Sequence, residues 1–107
     1  MRIILFMRKY KTSDGYMRVP DNKLRGAYGE TDTDKKVIRV NKERHHKNVE
    51  RYNKNEDGSE SLIDTIVHEE DHAKHPRKHE KTVYKDTKKK VDKMSNKEKQ
   101  RLYKLYS

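Results

Sequence analysis

Apolar residues are sparse along this chain, but they are grouped, and their spacing changes from strand-like to helix-like after the midpoint. The opening run Arg2-Ile3-Ile4-Leu5-Phe6-Met7 is short, β-branched and aromatic, and predicts a buried strand continuing towards Tyr10. Ser13-Asp14-Gly15 signals a turn, and residues 16–19 predict a second short strand stopped by Pro20-Asp21-Asn22. Residues 24–30, with two glycines, read as extended. Thr31-Asp32-Thr33-Asp34 then turns the chain into residues 35–41, where Val37, Ile38 and Val40 mark the clearest strand after the first. Gly29-x-x-Asp32 ahead of that strand predicts a hairpin. Residues 42–57 are almost wholly polar, so they read as a solvated loop or an exposed helical piece, with His45 and His46 facing water.

From Gly58 onward the period becomes helical. Ser61 and Asp64 have capping-box-like spacing, which predicts a helix starting near residues 59–61. On a wheel of about 100° per residue, Leu62, Ile63, Ile66, Val67 and Ala73 share one broad face, while His68, His72 and His75 share the opposite one. Glu69 falls at the border. Glu70 projects from the middle of the apolar face, and should pair with a Lys or Arg or lie at the rim. After Pro76, the recurrence of Glu80, Val83 or Tyr84, Thr87, Val91 and Met94 predicts a second helix within residues 77–94. Ser95-Asn96-Lys97-Glu98 is a capping box for a last helix in which Leu102 and Leu105 share a face, with Tyr106 nearby. The expected fold class is α+β: a small, mostly antiparallel sheet of three or four strands packed on the histidine-bearing helix, followed by two C-terminal helices. It forms a single domain over residues 1–107, β-rich over 1–41 and helical over 59–107.

Composition narrows the chemistry. Only 29% of the 107 residues are hydrophobic and 43% are charged, so the core is modest and the composition borders on that of disordered chains. A bound metal would add folding free energy that so small a core lacks. There is no cysteine, so any zinc must be held by His and carboxylate. No stretch is long enough to span a membrane, and residues 3–7 are too short for a signal-peptide core, which makes a cytoplasmic location the expectation. The formal net charge of +10 favours nucleic acid, anionic surfaces or acidic substrates, although a Lys-rich surface also serves solubility.

The chemistry-bearing motif is His68-Glu69-x-x-His72. Two imidazoles four residues apart on one helical face can reach one zinc ion, and the carboxylate beside them can act as general base. This is the signature of a zinc-dependent peptidase. Such a site needs a third protein ligand and a position for water. His75 lies on the right face, but about 10 Å along a straight helix from His68. Pro76 turns the chain, which lets later residues return towards the metal. Glu80 is the favoured third ligand, with His79 and His75 as alternatives.

With its HExxH helix behind a small sheet, the chain resembles the zincin clan; its small size and the following Glu80 on its own helix resemble the minimal gluzincins. The resemblance is specific over residues 62–84 and topological elsewhere. It implies His68, His72 and Glu80 as ligands of one catalytic zinc ion and Glu69 as general base and acid. The strand Val37–Val40 would be the upper rim of the cleft, and residues 102–107 a cleft-blocking tail of a latent enzyme. The expected reaction is peptide-bond hydrolysis by a zinc-bound water activated by Glu69, on a peptide or protein substrate. Tyr84, the residue assigned to catalysis beside Glu69, His79 or Arg77 would stabilise the oxyanion. If Val37–Val40 is an exposed edge, an extended peptide would pair with it. Two other readings compete: a non-catalytic module stabilised by zinc, and a nucleic-acid-binding protein that uses the ten basic residues from Lys81 to Lys104. A peptidase acting on DNA-bound proteins, similar to the SprT-like group, would combine the site with the basic helices.

Overall fold

A computed structural model of the chain describes residues 11–24, 28–41 and 61–106. The strand expected over residues 2–7 and the polar stretch with His45 and His46 lie outside the described residues.

Gly15, at φ 86°, closes a tight turn in which its N–H donates to Thr12 O (3.0 Å) and Thr12 N–H donates to Tyr16 O (2.8 Å). The chain then enters β1, Met17–Pro20. β2 (Gly29–Asp32) and β3 (Val37–Val40) form the expected hairpin, with Gly29 opposite Val40 and Asp32 opposite Val37. Asp32 Oδ1 accepts from the N–H groups of Asp34 (3.0 Å) and Lys35 (2.9 Å), which shapes the connection, and Lys36 takes a left-handed φ of 54° at its end.

The sheet order is β1-β3-β2, with β1 parallel and β2 antiparallel to β3. Among the described residues the sheet is therefore three-stranded and mixed, not mostly antiparallel, and Val37–Val40 is its middle strand, not an edge. The physical reason lies in the side chains. Ile38 and Val40 are fully buried, so this strand gains most from neighbours on both sides. Pro20, which has no N–H to give to a ladder, sits on an edge strand.

Among the described residues three helices follow: α1 (Leu62–Lys74), α2 (Glu80–Lys93) and α3 (Asn96–Lys104). The capping box that starts α1 is complete: Asp64 N–H donates to Ser61 Oγ (3.2 Å) and Ser61 N–H to Asp64 Oδ2 (3.0 Å). Leu62, Ile63, Ile66, Val67 and Ala73 are all buried, the face the wheel assigned to the core. They meet Ile38 and Val40 of the sheet, with Tyr16, Val91 and Tyr106 completing the cluster. Each large aliphatic buried here contributes about 1.5–3 kcal/mol. α2 packs through Val83, Thr87 and Val91. α3 starts at Ser95, whose Oγ accepts from Glu98 N–H (3.2 Å). Among the described residues no helix is long and apolar enough to cross a membrane.

Candidate metal centre

α1 stops where Pro76 requires it to. His75 leaves helical geometry at φ −130°, ψ 71°, as the residue before a proline must, and its N–H still closes the last turn on Asp71 O (2.8 Å). Lys78 in the following turn donates to Asp71 Oδ2 (2.8 Å) and also pairs with Asp86 on α2. Hydrogen bonds donated to Asp71 and then to Asp86 raise the Lys78 ammonium above its ordinary range, and the one from Lys78 holds the Asp86 carboxyl below its own. This clamp fixes the start of α2 against the end of α1, and so brings Glu80 back over His68 and His72.

Glu80 Oε1 lies 2.6 Å from His68 Nε2, Glu80 Oε2 lies 3.0 Å from His72 Nε2, and the two Nε2 atoms are 3.1 Å apart. One ligand atom from each of the three residues falls within 4.8 Å of the others, a group that could hold a metal ion. His68 is buried, His72 half-buried and Glu80 exposed, so the point where the donors meet is open on one side. Burial works against the Glu80 charge, but the charge and hydrogen bond of His72, then those of His68, hold its carboxyl below the usual range. His68 Nδ1 is buried without a hydrogen-bond partner among the described residues. His79, the exposed N-cap of α2, and His75, exposed at the end of α1, are not part of the group.

Glu69 borders the same cleft, an open space of about 360 Å³ with Thr31 and Thr33 on one side and Pro76 and Glu80 on the other. Its carboxyl is pushed above the ordinary carboxylate range, first by burial; the Thr31 hydrogen bond and the two histidines act in the opposite sense. Thr31 Oγ1 is 2.8 Å from both the carbonyl O and Oε1 of Glu69, and its one proton can be given to either. Gly29 comes equally close. A Cβ there would stand 2.8 Å from Thr65 Cγ2 and 2.9 Å from Glu69 Cγ, so only glycine lets β2 lie this near α1. On α2 the Tyr84 ring packs against the His68 ring with centroids 4.6 Å apart, and the side chain is half exposed beside the donors.

Behind the helix, Glu70 finds the partner its position requires. Arg18 Nε and one terminal nitrogen donate to its two oxygens (2.8 and 3.2 Å), and the Tyr106 hydroxyl donates to Oε2 (2.8 Å). Tyr106 is fully buried here, on the face of α1 away from the histidines. Residues 102–106 therefore lie behind α1, and none of them lines the cleft, so the expectation of a cleft-blocking tail is not met over these residues.

Arg18, Gly29 and Thr31 were not distinguishable as functional positions in the sequence. Thr31 reads there as a turn residue, and its role depends on pairing opposite Ile38, which turns its side chain to α1. No protein-family model, no curated protein and no solved structure matches this chain.

Proposed function

We propose that the protein is a zinc-dependent metallopeptidase of the gluzincin type, with His68, His72 and Glu80 as the protein ligands of one ion and Glu69 as the proton-transferring group. The observation that carries this reading is the convergence of two imidazole nitrogens and one carboxylate on a single point, with a second carboxylate beside it. The donor set suits zinc. Bonds of about 2.0–2.1 Å in tetrahedral array call for donor separations of about 3.3 Å. The 3.1 Å between the imidazoles and the 2.6 and 3.0 Å to Glu80 need only slight outward rotation to match.

When bound, the ion would supply Lewis acidity and lower the pKa of water in the cleft. Everything else is the work of the chain. Glu69 takes the proton of the attacking water and later returns it to the leaving amine, and the partial burial that raises its carboxyl brings it nearer to the affinity such a base requires. The Thr31 hydroxyl holds that carboxylate in place from the sheet side. Tyr84, beside His68, donates to the carbonyl oxygen as negative charge develops there.

Among the described residues the edge strand beside the cleft, and so the one for an extended substrate, is β2, not β3. Asn41 N–H donates to Tyr28 O, so residues 28, 30 and 32 face β3 with their main-chain groups. By antiparallel alternation, those of Gly29 and Thr31 point to the outer edge, directly above Glu69. A peptide added there would be held by its main chain, with little sequence preference.

The test is zinc titration by calorimetry alongside cleavage of a quenched-fluorescent peptide library by the full chain. The wild type should bind about one ion and cleave; Glu69→Gln should keep the ion and lose about 10²–10⁴-fold in rate; Glu80→Ala should lose both. A wild type that takes up no zinc, or a Glu69→Gln variant that cleaves as well as wild type, refutes the reading.

A further inference from the structure

We infer that the exposed face of α2 and α3 docks on the phosphate backbone of nucleic acid, independently of what the metal centre does. The net charge of +10 is not spread over the molecule. Residues 81–106 hold ten Lys and Arg against three Asp and Glu, and nine of the ten cations are exposed, Lys99 being buried. The described part of the sheet region, residues 11–24 and 28–41, holds six against five, and residues 61–80 hold three against five. A surface charged for solubility intersperses both signs; among the described residues the cationic excess lies almost wholly in this pair of helices.

The cations of this segment are not committed to carboxylates. Arg18, Arg39 and Lys78 each have a carboxylate partner, whereas no cation from Lys81 to Lys104 makes an ion pair among the described residues. At about 100° per residue, Lys81, Lys85, Lys88 and Lys89 form one stripe within roughly 100° of arc, broken only by Asp92. The stripe lies opposite the buried Val83, Thr87 and Val91 and is turned about 80° or more from Glu80, so it is displayed without covering the metal centre. It extends about 12 Å from Lys81 to Lys89, which covers about three or four phosphates at 3.4 Å rise per strand.

The nature of the face selects the partner. A helix that lies on a lipid surface buries an apolar face in it, but the apolar residues of α2 and α3 are committed to the core, and Tyr84 is the one exposed large hydrophobic among the described residues. The cations are nearly all Lys, which act as point charges on phosphate and lack the planar fork that reads guanine. The expected binding is therefore electrostatic and indifferent to sequence.

The experiment is fluorescence anisotropy of the full chain with a labelled duplex of about 20 base pairs, as DNA and as RNA, over about 50–200 mM salt. With three or four phosphates engaged, affinity should fall roughly 40- to 150-fold over that range. A Lys81/Lys85/Lys88/Lys89→Gln variant should lose most of the binding and of the salt slope. A charge-matched Lys11/Lys23/Lys35/Lys36→Gln control should keep most of both, and circular dichroism of the two variants should be unchanged. The proposal is overturned if neither duplex binds at low salt, if the two variants lose affinity equally, or if phosphatidylserine vesicles bind the chain more tightly than either duplex and compete it off.

Discussion

Replacing Arg18 by Met removes the cation that faces Glu70 and keeps most of the aliphatic stem that packs beside it. The two side chains are 12% and 21% exposed, so this pair is largely withdrawn from water without being sealed from it. Breaking a fully buried pair from one side costs about 3–5 kcal/mol, because a charge is left without its counterion. Glu70 keeps the Tyr106 hydroxyl and part of its hydration, so the expected cost of Arg18→Met is about 2–3 kcal/mol. Glu70→Leu should cost a similar amount, since it takes from Arg18 its counterion, leaving the Lys11 carbonyl (3.1 Å) and the Tyr106 oxygen, and leaves the Tyr106 hydroxyl without its acceptor. The double variant should recover at least about 1.5 kcal/mol of the summed loss, and adding Tyr106→Phe should bring stability close to wild type, because an apolar replacement of a buried pair is near neutral. The assay is urea unfolding of all four variants and wild type at one pH and salt. If the Arg18 and Glu70 costs add to within about 0.5 kcal/mol, the residues are not coupled and the account of this cluster fails.

Gly29→Ala should destabilise the fold by about 1–3 kcal/mol through overpacking against Thr65 and Glu69, and thermal unfolding should show it; a neutral substitution would mean that β2 moves freely away from α1. Thr31→Val should leave zinc affinity unchanged while lowering peptide cleavage roughly tenfold, as a lost hydrogen bond of about 1–1.5 kcal/mol predicts; equal cleavage by both proteins would remove Thr31 from the mechanism. Burial, then the neighbouring Glu70 charge, raises the Tyr106 hydroxyl well above its ordinary pKa of 10.0, so it stays protonated in the fold where the unfolded chain would ionise. Its contribution is fully present below pH 10 and is lost as pH rises beyond it. Urea unfolding across the alkaline range should accordingly fall more steeply for wild type than for Tyr106→Phe, and parallel curves would contradict the buried hydrogen bond.

What could be read from the chain was what depends on neighbours a few residues away. The cap at Ser61, the apolar face of α1, the break at Pro76, the cap at Ser95 and the convergence of His68, His72 and Glu80 follow from helical periodicity, capping and the restriction a proline places on the residue before it. Even the misfit Glu70 announced that it needed a partner. Which partner it takes was settled only by tertiary structure, because Arg18 and Tyr106 lie 52 and 36 positions away, and nothing local distinguishes them from other cations and tyrosines. Strand order is of the same kind. Residues 37–40 read correctly as a strand, but their place between β1 and β2 depends on which strand buries most when flanked on both sides. That placement puts β2 at an edge of the sheet among the described residues and sets Gly29 and Thr31 over Glu69, while residues 102–106 lie behind α1 instead of in the cleft. The donors of the site were written within a short segment of chain, while the walls of its cleft arise from contacts that exist only once the sheet and helices have packed.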